Sequence, residues 1–157
     1  SGKTTLCKLL KSYLKKKTLL IDGDTFRKKN NNNSFSRISI IKNNLKIISF
    51  LKKNFHKYDF ILVSVISPLK KTRFIANKIF KKNYFEIYVF ASLQVLISRD
   101  TKGLYNLSKK GKIKNLIGFN SSIKYEKSKH CFLRVNTNKF TKDECVLKIL
   151  KYAKVNN

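Results

Sequence analysis

Ser1-Gly2-Lys3-Thr4-Thr5, running directly into Leu6-Cys7-Lys8-Leu9-Leu10, is the stretch that decides how the rest of the chain is read. It matches the second half of G-x-x-x-x-G-K-[ST]. In that loop, backbone N–H groups and a helix N-terminus cradle phosphate oxygens, the Lys reaches the β/γ-phosphates and the following hydroxyl holds Mg²⁺. Leu6, Leu9, Leu10 and Tyr13-Leu14 recur at helical spacing, so residues 4–16 are expected to form the helix that such a loop launches. The motif's first glycine and the strand expected before it lie outside the sequence, which also contains no Met. The chain therefore reads as a piece whose N-terminus falls inside a phosphate loop. Five residues alone could match by chance in a lysine-rich sequence, so the remaining segments must carry the decision.

They alternate. Thr18-Leu19-Leu20-Ile21 reads as a short buried strand that ends at Asp22-Gly23-Asp24. A polar tract, Lys28 to Asn33, reads as a surface loop. Ser36 is placed to cap a helix running to about Asn54. Residues 59–66 form a continuous apolar run of the kind a central parallel strand shows, stopping at Ser67-Pro68. A helix over 69–82, a strand over 85–90 and a helix opened by Ser92 follow. Residues 101–128 read as irregular, His130 to Val135 as a strand, and Thr141 to Ala153 as an amphipathic helix. Strand and helix in alternation predict an α/β three-layer sandwich around a mainly parallel sheet, lacking its first strand. Residues 1–157 form one domain, with ligands at the C-terminal ends of the strands.

Composition bounds the partners less sharply. With 157 residues and 42% apolar content the chain can bury a core. No apolar run approaches the roughly 18 residues needed to span a bilayer, so no membrane partner is expected. Cys7, Cys131 and Cys145 have no metal-ligand spacing, and His56 and His130 stand far apart; both sets read as structural, the thiols as reduced in a cytoplasmic protein. The net charge of +28 would suit a nucleic-acid partner. Its lysines are spread over the whole chain, however, among abundant Asn and Ile, which is what drift in an AT-rich genome produces. A polyphosphate substrate would feel the same field. Only eight carboxylates stand against 36 basic residues, and Asp22 and Asp24 fall two apart after an apolar run. Asp-Gly-Asp suits a plain turn; beside bound nucleoside triphosphate it suits a proton acceptor or a ligand to Mg²⁺ waters.

With these motifs in view, the chain resembles the adenylylsulfate kinase family over nearly its whole length. D-G-D-T-F-R at 22–27 is similar to the family's D-G-D-N-x-R. Phe35, Ser36 and Asn43 fall where it has F-S-x-x-D-R-x-E-N, and I-S-P at 66–68 with Arg73 matches I-S-P-x-x-x-x-R. R-D-T-K-G-L-Y at 99–105, followed by Gly111-Lys112-Ile113-Lys114, resembles R-D-P-K-G-L-Y and G-x-I-K. Gly118 and Tyr125-Glu126 echo its F-T-G and Y-E, and E-C-V-x-K-I-L at 144–150 fits its closing segment. R-D-x-K-G-L-Y is the most diagnostic of these, since generic nucleotide binding does not require it.

The resemblance implies a Mg-ATP-dependent kinase that phosphorylates the 3′-hydroxyl of adenosine 5′-phosphosulfate. It implies ATP contacts from Gly2, Lys3, Thr4, Thr5, Arg99, Asn136 and Thr137, with Mg²⁺ on Thr4 and Asp22 as a second candidate ligand. Lys3, Asp24 and Ser67 carry the implied chemistry; Ser67 matches a serine that carries a phosphoryl group in some members. Acceptor contacts would come from Asp22, Asp24, Arg27, Phe35, Asn43, Ile66, Ser67, Lys102, Gly103 and Leu104, with Tyr105 completing a lid. Partners would be small nucleotides and no specific nucleic acid; a homodimer stays open. The departures fall mainly on the acceptor side. Ser39 and Ile40 replace Asp-Arg, Leu116 and Ile117 replace the Phe-Thr of F-T-G, and Leu107 stands where lysine is usual. An Ile cannot stand in for a bidentate Arg. A paralogue with another acceptor, such as cytidine diphosphoramidate, and a basic nucleic-acid-binding protein on the same fold are the alternatives.

Overall fold

In the computed structural model, which describes residues 1–30, 34–128 and 131–153, the first element is α1 (Lys3–Leu14). Leu6, Leu10 and Leu14 recur every four residues, so one stripe of the helix is buried. Gly2 precedes it at φ 77°, a left-handed conformation that L side chains rarely adopt. β1 (Thr18–Asp22) then pairs in parallel with β2 (Phe60–Ser64), Thr18 opposite Phe60 and Asp22 opposite Ser64. β3 (Ile87–Phe90) pairs in parallel with β4 (Leu133–Asn136), ending with Phe90 opposite Asn136.

The helices between them are α2 (Gly23–Lys29), α3 (Arg37–Asn54), α4 (Lys70–Phe80), α5 (Leu93–Arg99), α6 (Leu104–Lys109) and α7 (Lys142–Tyr152). Ser36 and Ser92 accept from Ser39 N and Val95 N, as their expected capping roles require. Thr141 and Glu144 close a reciprocal capping box on α7. The main core joins α1 to α7, with Val135, Cys145, Val146, Ile149 and Leu150 at its centre. Phe60 and Leu62 of β2 and Ile87 and Val89 of β3 pack against it, alternate residues as a strand dictates. One apolar cluster thus ties both strand pairs together. α3 and α4 pack on each other and contribute none of its members.

Three features differ from the expectation. The parallel pairing holds, but it is divided between two two-stranded sheets. Among the described residues β2 and β3 each keep one unpaired edge, and a cleft of about 2710 Å³ is lined by residues of both. Residues 23–29 are helical where a turn and loop were expected, and residues 104–109 form a helix in the segment read as irregular. In both cases an aspartate side chain caps amides that neither strand nor helix periodicity reveals. Residues 31–33 of the polar tract, and His130 at the expected start of the last strand, lie outside the described residues.

Candidate functional site

The register of β1 on β2 sets Asp22 and Ser64 side by side at the C-terminal strand ends. Thr4, in the first turn of α1, reaches both. Its Oγ1 donates to Asp22 Oδ2 at 2.8 Å and lies 2.8 Å from Ser64 Oγ. Asp22 Oδ1 accepts from Asp24 N and Thr25 N, each at 3.1 Å, so the carboxylate also caps α2. Burial pushes the Asp22 carboxyl up, but the Thr25 amide, the Thr4 hydroxyl and the Lys102 charge outweigh it and hold it below its ordinary value. Gly23 fits because a β-carbon there would come within 2.8 Å of Val65 Cγ2.

Lys3 lies beside this trio and is partly buried. Burial lowers its pKa; Asp24 opposes that and Lys102 adds to it. An ammonium partly withdrawn from water suits an anionic ligand. The three oxygens of Thr4, Asp22 and Ser64 fit the hard Mg²⁺ ion expected from the resemblance. Among the described residues no group of three or more His, Cys, Asp or Glu gathers, so substrate phosphates would have to complete such a site.

The R-D-x-K-G-L-Y segment divides its labour. Arg99 donates to Thr137 Oγ1 at 3.1 Å and to Thr137 O at 2.8 Å, fixing the turn after β4. Asp100 accepts from Tyr105 N and Asn106 N and caps α6. Lys102 reaches across to Asp24 Oδ2 at 2.5 Å, and that bond raises the Lys102 pKa. Gly103 begins α6, Leu104 lines the cleft and Tyr105 packs edge-on against Phe119. Asn136 spends its side-chain oxygen on Asn138 N.

Behind Ser34 and Phe35, which line the cleft, Arg27 donates to Ser34 O at 2.9 Å and lies over the Phe35 ring, 4.8 Å from its centroid. The ring stays 44% exposed, leaving surface on which a base could stack. The Ser67 hydroxyl is held by Asn44 Nδ2 at 3.0 Å and Thr72 Oγ1 at 3.0 Å. Gly2, Thr5 and Ile66 also line the cleft. Arg27, Asn43, Gly103 and Asn136 do not. Asn43 is 1% exposed with neither side-chain atom hydrogen-bonded, and the Ser67 partner is its neighbour Asn44. Ile40 is also 1% exposed, a core residue where the resemblance led one to look for an acceptor contact. Leu116 and Ile117 line the cleft.

Ser64, Asn44 and Thr72 escaped the sequence reading. Ser64 could have been found from the strand register, two residues before Ile66. Asn44 and Thr72 had no signal, since their contacts depend on how α3 packs on α4.

Known proteins resemble the chain in sequence and in fold. The family model described as adenylylsulphate kinase matches residues 1–136. An adenylyl-sulfate kinase of Clostridium acetobutylicum is 32% identical, over 98% of this chain and 78% of that protein. A probable adenylyl-sulfate kinase of Pyrococcus abyssi is 34% identical, over 98% of this chain and 89% of its own length. The structure of a Mycobacterium tuberculosis APS kinase in complex with AMPPNP and APS superposes with a TM-score of 0.87. It is 26% identical and covers 98% of this chain and 91% of that one. The chain belongs to the adenylylsulfate kinase family.

Proposed function

We propose that residues 1–157 act as one kinase domain that transfers the γ-phosphoryl group of ATP to the 3′-hydroxyl of adenosine 5′-phosphosulfate. The observation that carries this reading is the Thr4–Asp22–Ser64 oxygen trio beside the partly buried Lys3, with Asp24 held by Lys102. Lys3 balances charge on the β/γ-phosphates, and Gly2 and Thr5 frame them. Mg²⁺, when bound through Thr4 and Asp22, supplies charge neutralisation at the same oxygens. Asp24 orients the acceptor hydroxyl and takes its proton as the oxygen–phosphorus bond forms and the bond to the ADP oxygen breaks. Phe35 offers its ring face to the acceptor base. Arg99 and the Asn136-Thr137 turn border the ATP base. Lys102, released from Asp24 by the acceptor, moves its charge to the acceptor's anionic tail. The three cysteines are free, and no helix among the described residues is long and apolar enough to cross a membrane; the cytoplasm is the proposed compartment.

A second reading, a paralogue with a different nucleotide acceptor, is favoured by the burial of Ile40, which leaves that position no charge to offer. One experiment separates the two. Labelled ATP is presented with adenylyl sulfate, cytidine-based diphosphoramidate and other nucleotides, and kcat/KM is compared. The highest value for adenylyl sulfate supports the first reading; a higher value for another nucleotide replaces the acceptor while keeping the kinase.

A further inference from the structure

Arg73 makes no hydrogen bond to Thr4, Asp22 or Asp24, yet it is a buried charged side chain with four partners. It lies in the first turn of α4 and is 6% exposed. One terminal nitrogen donates to Ser67 O at 2.5 Å and the other to Glu126 O. Its Nε lies 3.2 Å from Glu86 Oε1, out of line for a hydrogen bond, so that contact is ionic. The guanidinium also covers the Tyr125 ring, 4.9 Å from its centroid.

These partners come from three places. Ser67 follows β2, Glu86 precedes β3, and Tyr125-Glu126 ends the segment after α6. Among the described residues no strand pairing connects β2 to β3. Around the arginine, Glu126 N donates to Pro68 O at 2.8 Å, and the Glu126 carboxylate accepts from Lys70 N at 2.7 Å. Burying a guanidinium is costly unless its charge is paired and hydrogen-bonded; Glu86 pairs the Arg73 charge, and each terminal nitrogen reaches a carbonyl. A planar fork that reaches two carbonyls at once cannot be copied by the single ammonium of lysine. The residue is thus built to hold the Ser67 main chain at a fixed distance from residue 126, while Asn44 and Thr72 hold the Ser67 hydroxyl.

We propose that Arg73 is a positioning residue for the acceptor side of the site: its fork sets the Ser67 turn against the Tyr125-Glu126 segment and so preforms the acceptor's place in the cleft. Arg73 acts through Ser67 and Glu126 and does not touch substrate. This rests on the kinase reading above.

The test uses the full chain and compares wild type with Arg73→Lys and Glu86→Gln. Mg-ATP affinity is measured by calorimetric titration, KM and kcat for adenylyl sulfate by labelled transfer, and the folded fraction by thermal melting. Arg73→Lys is expected to raise the acceptor KM about tenfold, the loss of one charge-assisted bond, with Mg-ATP affinity changed less than about twofold by the same scale. Glu86→Gln keeps both carbonyl bonds and should keep most of the acceptor affinity. If lysine unfolds the site, Arg73→Gln combined with Glu86→Gln serves in its place, since it removes both charges of the buried pair and leaves neither one unpaired. Equal losses for ATP and acceptor, or losses that only track the folded fraction, overturn the proposal. So does a Glu86→Gln loss as large as that of Arg73→Lys. A wild type that transfers nothing and binds no acceptor sinks the kinase reading, and the proposal falls with it; an active wild type with an unaltered Arg73→Lys sinks the proposal alone.

Discussion

Lys3 is a residue whose chemistry the fold alters. Burial depresses its pKa, whereas bound triphosphate would raise it by supplying negative charge. Between the depressed value of the free protein and the higher value of the complex, binding must take up a proton. Mg-ATP affinity should therefore fall as pH rises through that window. Titration calorimetry in buffers of different ionisation enthalpy reads the uptake directly, and no uptake on the alkaline side would count against Lys3 as the phosphate partner. Lys3→Ala should lower kcat by about 10²–10³, the cost of removing one preorganised charge. Asp24→Asn should cost a similar factor, about 10²–10⁴, if it accepts the acceptor proton. Ser67→Ala is expected to lose less than about tenfold, since two ordinary hydrogen bonds to Asn44 and Thr72 are removed. Complete loss in a folded Ser67→Ala variant would instead demand a phosphoserine.

At the scale of elements, two aspartates do structural work that the periodicity conceals. Asp22 caps α2 and ties it to Thr4, and its folded-state pKa is lowered. The stability it contributes is present above its unfolded pKa and is lost as pH falls through the folded value. Asp22→Ala should cost about 0.5–2 kcal/mol in urea unfolding, as the loss of a good N-cap does. The difference between wild type and the variant should shrink toward zero in acid. A constant difference across that range would assign the cost to packing instead. Asp100 plays the same part for α6. Asp100→Ala should therefore speed amide exchange at residues 105–109, while α1 and α7 keep their protection.

For the whole molecule the charge of +28 is the dominant quantity. Lysines spread over most of the helices and the loops repel one another, and salt screens them over a Debye length of about 10 Å at 0.1 M. The melting temperature should rise from low salt to physiological salt, and a fall would show that specific ion pairs outweigh the general repulsion. The described ion pairs are few, and two of the three, Arg37–Glu126 and Lys102–Asp24, involve exposed partners. Binding to duplex or single-stranded DNA should be weak, blind to sequence and abolished by moderate salt. Nanomolar binding at physiological ionic strength would favour a nucleic-acid partner.

The fold class was legible because helix and strand impose different apolar periods, and these survive in a lysine-rich background. α1 and α7 announce themselves by spacing and α3 by its Ser36 cap, and β1 and β2 by apolar runs that stop at Asp22 and before Ser67. Motif spacing likewise determined where to look for phosphate, acceptor and lid. Only the tertiary structure decided which side chains meet. Parallel register brought Ser64 beside Asp22. Packing of α3 on α4 turned Asn44, not Asn43, toward Ser67, and it buried Ile40. Lys102 met Asp24 across 78 residues of sequence. α2 and α6 depend on single carboxylate caps, which are local hydrogen bonds with no period to read. Such contacts follow from how elements are stacked, and a one-dimensional pattern reports which face of an element is apolar, not what that face will touch.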